Sequence, residues 1–275
     1  MHPMLNTAVK AARRAGNIVL RNADRVERLT IEAKGHNDFV TEVDRLAESE
    51  IIDILRRAYP DHAILAEETG GHSGDEYCWI IDPLDGTTNF LHGYPHYAVS
   101  IALQHKGRLE QAVVFDPHRN ELFTASRGQG AHLNDRRIRV SHTHDFKRAL
   151  LGTGFPFKSS EYLELWISVF RHVARETSGV RRAGSAALDL AHVACGRFDG
   201  FWEFGLRSWD MAAGCLLIEE AGGLVADPLG GQEHLRTGLL VAGNPKIFGE
   251  MLRHIRACLP PDWKLERQTA KDQER

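Results

Sequence analysis

Four acidic residues stand directly after short apolar runs or at the start of a predicted helix, which is where layered proteins build their functional sites. Glu67 follows AILA, Asp82 follows CWII, Asp85 lies three residues later, and Asp210 opens a helical stretch. Carboxylates about 4 Å apart repel by about 4 kcal/mol per pair at an effective dielectric of about 20, so such a cluster requires protons or bound cations. Oxygen ligands without cysteine or histidine favour Mg²⁺ or Mn²⁺. The sequence therefore predicts a divalent-metal site.

The segment WIIDPLDGTTNF has the composition of a strand that runs into a tight turn. We expect the strand CWII to end at Ile81, because Pro83 cannot donate to the ladder of a central strand. Gly86 then permits a sharp bend. Asp82 and Asp85 can therefore converge on one point at the end of this strand.

Residues 86–89, Gly-Thr-Thr-Asn, follow the bend and predict the first turn of a short helix. The backbone N–H groups of such a turn suit a phosphate group. A divalent metal beside an anion-binding turn indicates metal-assisted hydrolysis of a phosphate ester, in which Thr87 or a glutamate would help to deprotonate the attacking water.

Each of these carboxylates, taken singly, also has an ordinary structural interpretation. Asp210 can cap the helix that it opens. Glu67 and Glu68 can be solvated loop residues. Asp44 has the spacing from Thr41 that is typical of a capping box. These alternatives stay open for each residue considered alone.

The elements that must position these residues follow from hydrophobic periodicity. Apolar residues at helical spacing predict a helix from Pro3 to about Ala23, and a second helix that opens at Thr41 and ends before Pro60. Short apolar runs then predict strands at HAILA and CWII, followed by an antiparallel meander of YAVSIAL, EQAVVF and ELFTAS.

From about residue 145 strands and helices alternate. Strands are predicted at ALLGTG, SGVRRAG and FDGFWEF, and helices near 162–176, 186–195, 209–221 and 245–259. We therefore expect an N-terminal half over 1–144 that carries the metal-binding loops and the meander. A C-terminal half over 145–260 would complete the site, and 261–275 forms a polar tail.

Composition excludes several classes of protein. The chain has 275 residues, of which 43% are hydrophobic and 26% charged, as in globular proteins. The net charge of −3 gives no reason to expect direct DNA binding or anionic lipid as the main partner. Four cysteines without a C-x-x-C pair indicate thiols in a reducing compartment, and neither a signal-peptide core nor a membrane span is predicted. We expect a cytoplasmic location.

Two motifs resemble the signatures of the inositol monophosphatase family of Mg²⁺-dependent, lithium-inhibited phosphatases. They are WIIDPLDGTTNF at 79–90, and WDMAAG at 209–214 with EAGG at 220–223. The resemblance extends over about residues 1–257. It implies an α+β fold, a layered α-β-α-β-α sandwich, and commonly a homodimer.

The resemblance also implies roles for individual residues. The first metal ion would be held by Glu67, Asp82 and the backbone carbonyl of Leu84, the second by Asp82, Asp85 and Asp210, and a weaker third ion would lie near Glu67. Catalysis would depend on Glu67 and on Thr87 hydrogen-bonded to Asp44. The phosphate would bind the N–H groups of Gly86 and Thr87, and the hydroxyls of the substrate would meet Asp85, Gly184, Ser185, Ala186 and Glu203.

The implied activity is hydrolysis of myo-inositol 1-phosphate and related polyol phosphates, with two or three Mg²⁺ ions, Mn²⁺ being possible. Fructose-1,6-bisphosphatase or nucleotide-bisphosphate phosphatase activity is the alternative, since those relatives share the metal core. The stretches RNELFTASRGQGA and RRAGSAALDLAHVACGRFDGFWE resemble a bacterial branch of the family that also acts in antitermination of ribosomal RNA transcription. Transcription elongation or antitermination factors are therefore further expected partners.

Overall fold

The protein is described by a computed structural model over residues 2–28, 31–35, 38–157 and 159–265. Within these ranges it is a mixed α/β protein with two large sheets and three layers of helices, which confirms the predicted layered α-β-α-β-α sandwich. Residues 266–275 of the predicted tail lie outside the described residues.

The helices are α1 (Pro3–Ala23), α2 (Glu42–Ala58), α3 (Thr87–Leu91), α4 (Leu163–Glu176), α5 (Ala186–Ala194), α6 (Ser208–Glu220), α7 (His234–Thr237) and α8 (Pro245–Cys258). The strands are β1 (Ile31–Gly35), β2 (Asp38–Thr41), β3 (Ala63–Ala66), β4 (Gly70–His72), β5 (Tyr77–Asp85), β6 (Ala98–His105), β7 (Arg108–Asp116), β8 (Glu121–Ser126), β9 (Gly130–Leu133), β10 (Arg136–Arg137), β11 (Leu150–Thr153), β12 (Gly179–Arg181), β13 (Gly200–Phe204), β14 (Leu224–Ala226) and β15 (Leu239–Gly243).

Helices α1 and α2 form the first layer and bury their apolar faces against the larger sheet. The predicted bounds of α1 are confirmed. Helix α2 starts after Thr41, whose hydroxyl accepts from the N–H groups of Val43 and Asp44 while its own N–H donates to the Asp44 carboxylate. The predicted capping box is therefore confirmed, and it fixes the side chain of Asp44 at the start of the helix.

The larger sheet has the strand order β10-β9-β8-β7-β6-β5-β3-β4. Strands β6, β7 and β8 form the predicted antiparallel meander, whereas β3 and β5 are parallel. The prediction that the strand ends at Ile81 is wrong, because β5 continues to Asp85. Its pairing with β3 does stop at Ile81, and beyond that point β5 pairs only with β6, through an irregularity between Asp82 and Asp85. Pro83 is tolerated there because it lies within this irregularity, between the paired residues Asp82 and Asp85.

Helices α5 and α6 lie between the two sheets in the largest apolar cluster, and α4 and α8 cover the outer face of the smaller one. The smaller sheet has the order β12-β11-β13-β15-β14, in which β11 is parallel to β12 and β13, and β15 is antiparallel to its neighbours. Almost the whole surface of α6 is buried between the two sheets. Its N-terminus is therefore fixed at the edge of the larger sheet.

The close approach of α5 and α6 depends on Gly214, because a Cβ atom there would lie 2.4 Å from Cβ of Leu190. We predict that Gly214→Ala lowers the free energy of unfolding: overpacking costs about 1–3 kcal/mol, more than the roughly 1 kcal/mol that alanine adds in helix propensity. Gly249→Ala on the exposed side of α8 is the matched control, since no atom lies within 4 Å of its Cβ position, and it should stabilise the protein. Denaturant unfolding of both variants measures the difference, and a stabilised Gly214→Ala protein would contradict this account of the helix contact.

Candidate active site

Glu67 and Asp82 lie side by side at the carboxyl ends of two parallel strands. The register pairs Ala66 of β3 with Ile81 of β5, so the next residue on each strand is acidic. The Glu67 N–H donates to the carbonyl of Ile81 at 3.2 Å, which continues the ladder by one step. The side chain of Glu67 lies close enough to Asp82 for its charge and a hydrogen bond between the two carboxyl groups to raise the pKa of Asp82.

Asp85 connects the end of β5 to the start of α5. Its Oδ2 accepts two hydrogen bonds, from the Ser185 hydroxyl and from the Ala187 N–H, each at 2.7 Å. Both donors belong to the N-terminal turn of α5, where unpaired amides and the helix dipole favour an anion. These bonds occupy one carboxylate oxygen and fix the orientation of the other.

Asp210 lies in the first turn of α6, and its Oδ2 accepts from the N–H of Arg207 at 2.6 Å. The capping interpretation and the ligand interpretation are therefore compatible. One carboxylate oxygen from each of Asp82, Asp85 and Asp210 lies within 4.8 Å of the other two. Side chains from both parts of the chain thus present oxygen atoms to one point, and this donor set suits a hard divalent cation such as Mg²⁺ or Mn²⁺.

The electrostatics of this cluster reflect the repulsion expected from the sequence. Burial raises the pKa of Asp82 well above its usual range, and the charges of Glu67, Asp85 and Asp210 raise it further. Loss of water raises the pKa of Asp85 to about 6, although its bonds from Ser185 and Ala187 oppose the shift. Burial and mutual repulsion thus oppose ionisation of these carboxyl groups unless a cation compensates their charge.

The raised pKa of Asp85 predicts how the stability of the metal-free protein depends on pH. Its folded-state pKa of about 6 exceeds the ordinary value of 3.8, so ionised Asp85 destabilises the fold above pH 6. That penalty declines as the pH falls through 6, because the folded state then binds the proton more tightly than the unfolded state. In EDTA, Asp85→Asn should therefore melt at a higher temperature than the natural sequence at pH 8, and the difference should shrink towards pH 4.

Scanning calorimetry across this pH range measures the effect. Partly buried histidines such as His192, whose pKa is lowered to about 3 by loss of water, act in the opposite direction, but they act in both proteins and cancel in the difference. A difference in melting temperature that does not change with pH would show that Asp85 carries no raised pKa.

A hydrogen-bonded pair, Thr87 and Asp44, lies next to the carboxylate cluster. Thr87 Oγ1 lies 2.9 Å from Asp44 Oδ1 and 3.0 Å from the carbonyl oxygen of Leu84. The other oxygen of Asp44 accepts from the N–H and hydroxyl of Thr41. Burial raises the pKa of Asp44, and the bonds from Thr41 and Thr87 partly oppose this. The geometry therefore allows a proton to pass from the Thr87 hydroxyl to the Asp44 carboxylate.

The turn before α3 is held against the loop before α5. Gly86 has a φ of +98°, and a Cβ there would lie 3.0 Å from the carbonyl oxygen of His96. The Asn89 side-chain amide donates to the carbonyls of His96 and Ala183, at 2.7 and 2.9 Å. This amide ties the predicted phosphate-binding turn to Gly184, and sequence reasoning did not identify its role.

A pocket of about 370 Å³ opens above these groups. Its outer wall contains Glu203, whose pKa is raised well above the usual range by burial and by Asp210 and Asp189, while Arg182 opposes the shift. Gly154 lies against this carboxylate, since a Cβ there would lie 2.0 Å from Glu203 Oε1.

The predicted site residues come together in this pocket. Its walls include Glu67, Asp82, Leu84, Asp85, Gly86, Thr87, Gly184, Ser185, Ala186, Glu203 and Asp210. Asp44 lies behind Thr87. Sequence reasoning did not identify five further residues of the site: Asn89, Gly154, Arg182, Asp189 and Arg207. They contribute through contacts between loops that are far apart in the chain.

A five-layer sandwich with a carboxylate cluster beside a short helix defines a class of metal-dependent phosphatases. The chain matches the profile of the inositol monophosphatase family over residues 1–259, and it belongs to that family.

Among individual proteins, the chain is 55% identical to Nus factor SuhB of Pseudomonas aeruginosa over 270 residues, which cover 96% of this chain and all of that one. The crystal structure of the extragenic suppressor protein SuhB from Bartonella henselae superposes with a TM-score of 0.90 at 44% identity, covering 93% of this chain and 99% of that one. Inositol monophosphatase from Anabaena (Nostoc) sp. PCC 7120 superposes with a TM-score of 0.83 at 40% identity, covering 94% and 96%. Within the described residues, no helix is long and apolar enough to span a bilayer.

Proposed function

We propose that the protein hydrolyses myo-inositol 1-phosphate and related polyol phosphates to the alcohol and inorganic phosphate, with Mg²⁺ as cofactor and Mn²⁺ as a substitute. The observation that carries the proposal is the convergence of Asp82, Asp85 and Asp210 within 4.8 Å, next to the N-terminal turn of α3. Ionised carboxylates this close together repel one another, and bound cations would offset that repulsion. Once cations are bound, they would attract the negatively charged phosphate group of a monoester to the same place.

Two or three ions would be shared among these groups. Glu67, Asp82 and the carbonyl of Leu84 would hold the first, and a weaker third would lie near Glu67. Asp82 and Asp85 with Asp210 would hold the second. When bound, the ions supply a lower pKa for the attacking water and charge neutralisation for the phosphoryl oxygens. The chemistry of the donor set supports this assignment, because every ligand is an oxygen.

The remaining steps belong to the protein. The N–H groups of Gly86 and Thr87, at the start of α3, would orient the phosphate. Thr87 Oγ1 would accept a proton from the attacking water while its own proton passes to Asp44 Oδ1, 2.9 Å away. The new P–O bond would form as the ester P–O bond breaks, and the leaving alkoxide would take up a proton from solvent to become the alcohol.

The far wall of the pocket would recognise the hydroxyls of the alcohol. Asp85, the backbone of Gly184, Ser185 and Ala186, and Glu203 would contact the ring. A panel of substrates compared by kcat/KM tests this proposal, and a preference of orders of magnitude for a bisphosphate would overturn the inositol assignment. Arg182 and Arg207, which also line the pocket, are the groups that favour the alternative, a fructose-1,6-bisphosphatase or nucleotide-bisphosphate phosphatase.

Gly154→Ala gives a sharper test of the polyol wall. The added methyl group would collide with the Glu203 carboxylate and displace it from the pocket. Leaving a buried hydrogen-bonding group without its partner costs about 1–3 kcal/mol, so kcat/KM for inositol 1-phosphate should fall by about 10- to 100-fold. Activity on phenyl phosphate, which has no ring hydroxyls, should stay within a few-fold. An equal loss on both substrates would argue against hydroxyl recognition by Glu203.

We further propose a homodimer in the cytoplasm. The cytoplasmic assignment is supported by four cysteines without a disulfide, of which Cys215 is buried and the others partly buried. Analytical ultracentrifugation tests the dimer, and a monomer at micromolar concentration would refute it. We also propose that the chain is organised in two halves, residues 1–144 and 145–260.

A second function, in antitermination of ribosomal RNA transcription, is favoured by the extent of the similarity to Nus factor SuhB, which covers 96% of this chain. Antitermination or elongation factors would then be partners, without direct contact to DNA. Asp85→Asn separates the two functions, since it removes a proposed metal ligand and changes the surface little. Introduced into cells that lack the natural copy, it should restore growth and ribosomal RNA synthesis; failure to restore them would count against a non-catalytic role.

A further inference from the structure

Glu48 is a buried acidic residue outside the carboxylate cluster, and only 1% of it is exposed. It lies on α2, four residues after Asp44, and therefore on the same face of the helix. Within the described part of the chain, no lysine or arginine forms an ion pair with it. A buried carboxylate without a counter-ion is costly unless its oxygens accept strong hydrogen bonds.

Two consecutive backbone amides provide those bonds. Glu48 Oε2 accepts from the N–H of Glu68 at 2.8 Å, and Oε1 accepts from the N–H of Thr69 at 2.9 Å. Each carboxylate oxygen thus accepts a hydrogen bond from one backbone amide of the turn that follows β3.

The turn held in this way begins with Glu67. On one side, the N–H of Glu67 donates to Ile81 of β5, and on the other side the next two amides donate to Glu48. The peptide units around Glu67 are therefore fixed from both directions, which sets the direction of its side chain towards Asp82. Nothing in the composition of AILAEETG predicts this, because the anchor comes from a different element.

We infer that Glu48 is a positioning residue for the metal site: it holds the turn that aims the Glu67 carboxylate at Asp82. This inference rests on the proposed function. Helix α2 then supports the site twice, through Asp44 behind Thr87 and through Glu48 behind Glu67.

Direct binding of Mn²⁺, followed by the electron paramagnetic resonance of the free ion without substrate, tests the inference. In Glu48→Gln the amide retains one acceptor and turns a donor towards the second N–H, so the turn loses one anchor. Affinity at the Glu67-dependent site should fall by about 10- to 100-fold, as for other outer partners of metal ligands. Glu50→Gln is the matched control on the same helix, since Glu50 pairs at the surface with Arg14, and it should bind as the natural protein does.

A double-mutant cycle with Glu67→Gln separates positioning from general stability. If Glu48 acts through Glu67, the combined variant binds Mn²⁺ no more weakly than Glu67→Gln alone. Additive losses, or a lower melting temperature with unchanged affinity, would overturn the inference. Should Glu48→Gln fail to fold, Glu48→Asp replaces it in the same cycle, since it keeps both oxygens but is one methylene shorter. Absence of Mn²⁺ binding by the natural protein would instead refute the proposed function.

Discussion

Asp85→Asn is expected to reduce Mg²⁺-dependent phosphate release by about 10³-fold or more. Metal ions supply several kcal/mol of transition-state stabilisation, and each 1.4 kcal/mol corresponds to about a factor of ten. The variant should remain folded, because asparagine Oδ1 can still accept from Ser185 and Ala187. Phosphate release at saturating Mg²⁺ is the measurement.

The matched control for this prediction is Asp53→Asn on α2, an exposed aspartate that forms an ion pair with Arg57 at 3.8 Å. It carries the same chemical change away from the pocket and should leave kcat unchanged. Retained activity of Asp85→Asn at high Mg²⁺ would remove the assignment of Asp85 as a metal ligand.

Thr87→Val should lower kcat by about 10²- to 10⁴-fold, the range in which a positioned proton acceptor contributes. Valine keeps the shape of threonine but removes the hydroxyl that lies 2.9 Å from Asp44. The backbone N–H of residue 87, which would bind the phosphate, is unaffected. The side chain of Thr87 is not a proposed metal ligand, so the affinity for Mn²⁺ should change little. Stopped-flow or steady-state assays of phosphate release measure kcat, and Mn²⁺ titration checks the site.

Thr87→Ser keeps the hydroxyl and is expected to lie within a few-fold of the natural protein. If Thr87 and Asp44 act as one unit, Asp44→Asn combined with Thr87→Val should be no slower than Thr87→Val alone. A Thr87→Val protein with ordinary kcat would show that the proton leaves the attacking water by another route.

Much of the site could be predicted from the sequence because its chemistry is carried by contiguous segments. Asp82, Asp85 and Thr87 lie within six residues of one another, and the spacing of Thr41 and Asp44 predicted the cap that fixes the latter. Glu67 was recognisable because it directly follows a short apolar strand. Local spacing was sufficient for these residues.

Other features required the tertiary structure. Strand β5 passes through Pro83, which was expected to end it, because β3 is too short to pair with that part of the strand. Asn89 bonds to Ala183, 94 residues away in the chain, and Gly154 matters only because Glu203 lies against it. Glu48 had the appearance of one more charged residue on a helix rich in glutamate. Contacts between distant segments leave no periodicity or motif from which they could be recognised.

The carboxylates of the cluster come from two adjacent layers of the sandwich. Asp82 and Asp85 belong to the larger sheet, whereas Asp210 begins the helix that separates the two sheets. An ion bound between them would act as a removable cross-link, joining parts of the chain that are 125 residues apart and stabilising the folded state by about 2.7 kcal/mol at a concentration one hundred times its dissociation constant. The thermal tolerance of this protein would then follow the magnesium supply of the cell that makes it.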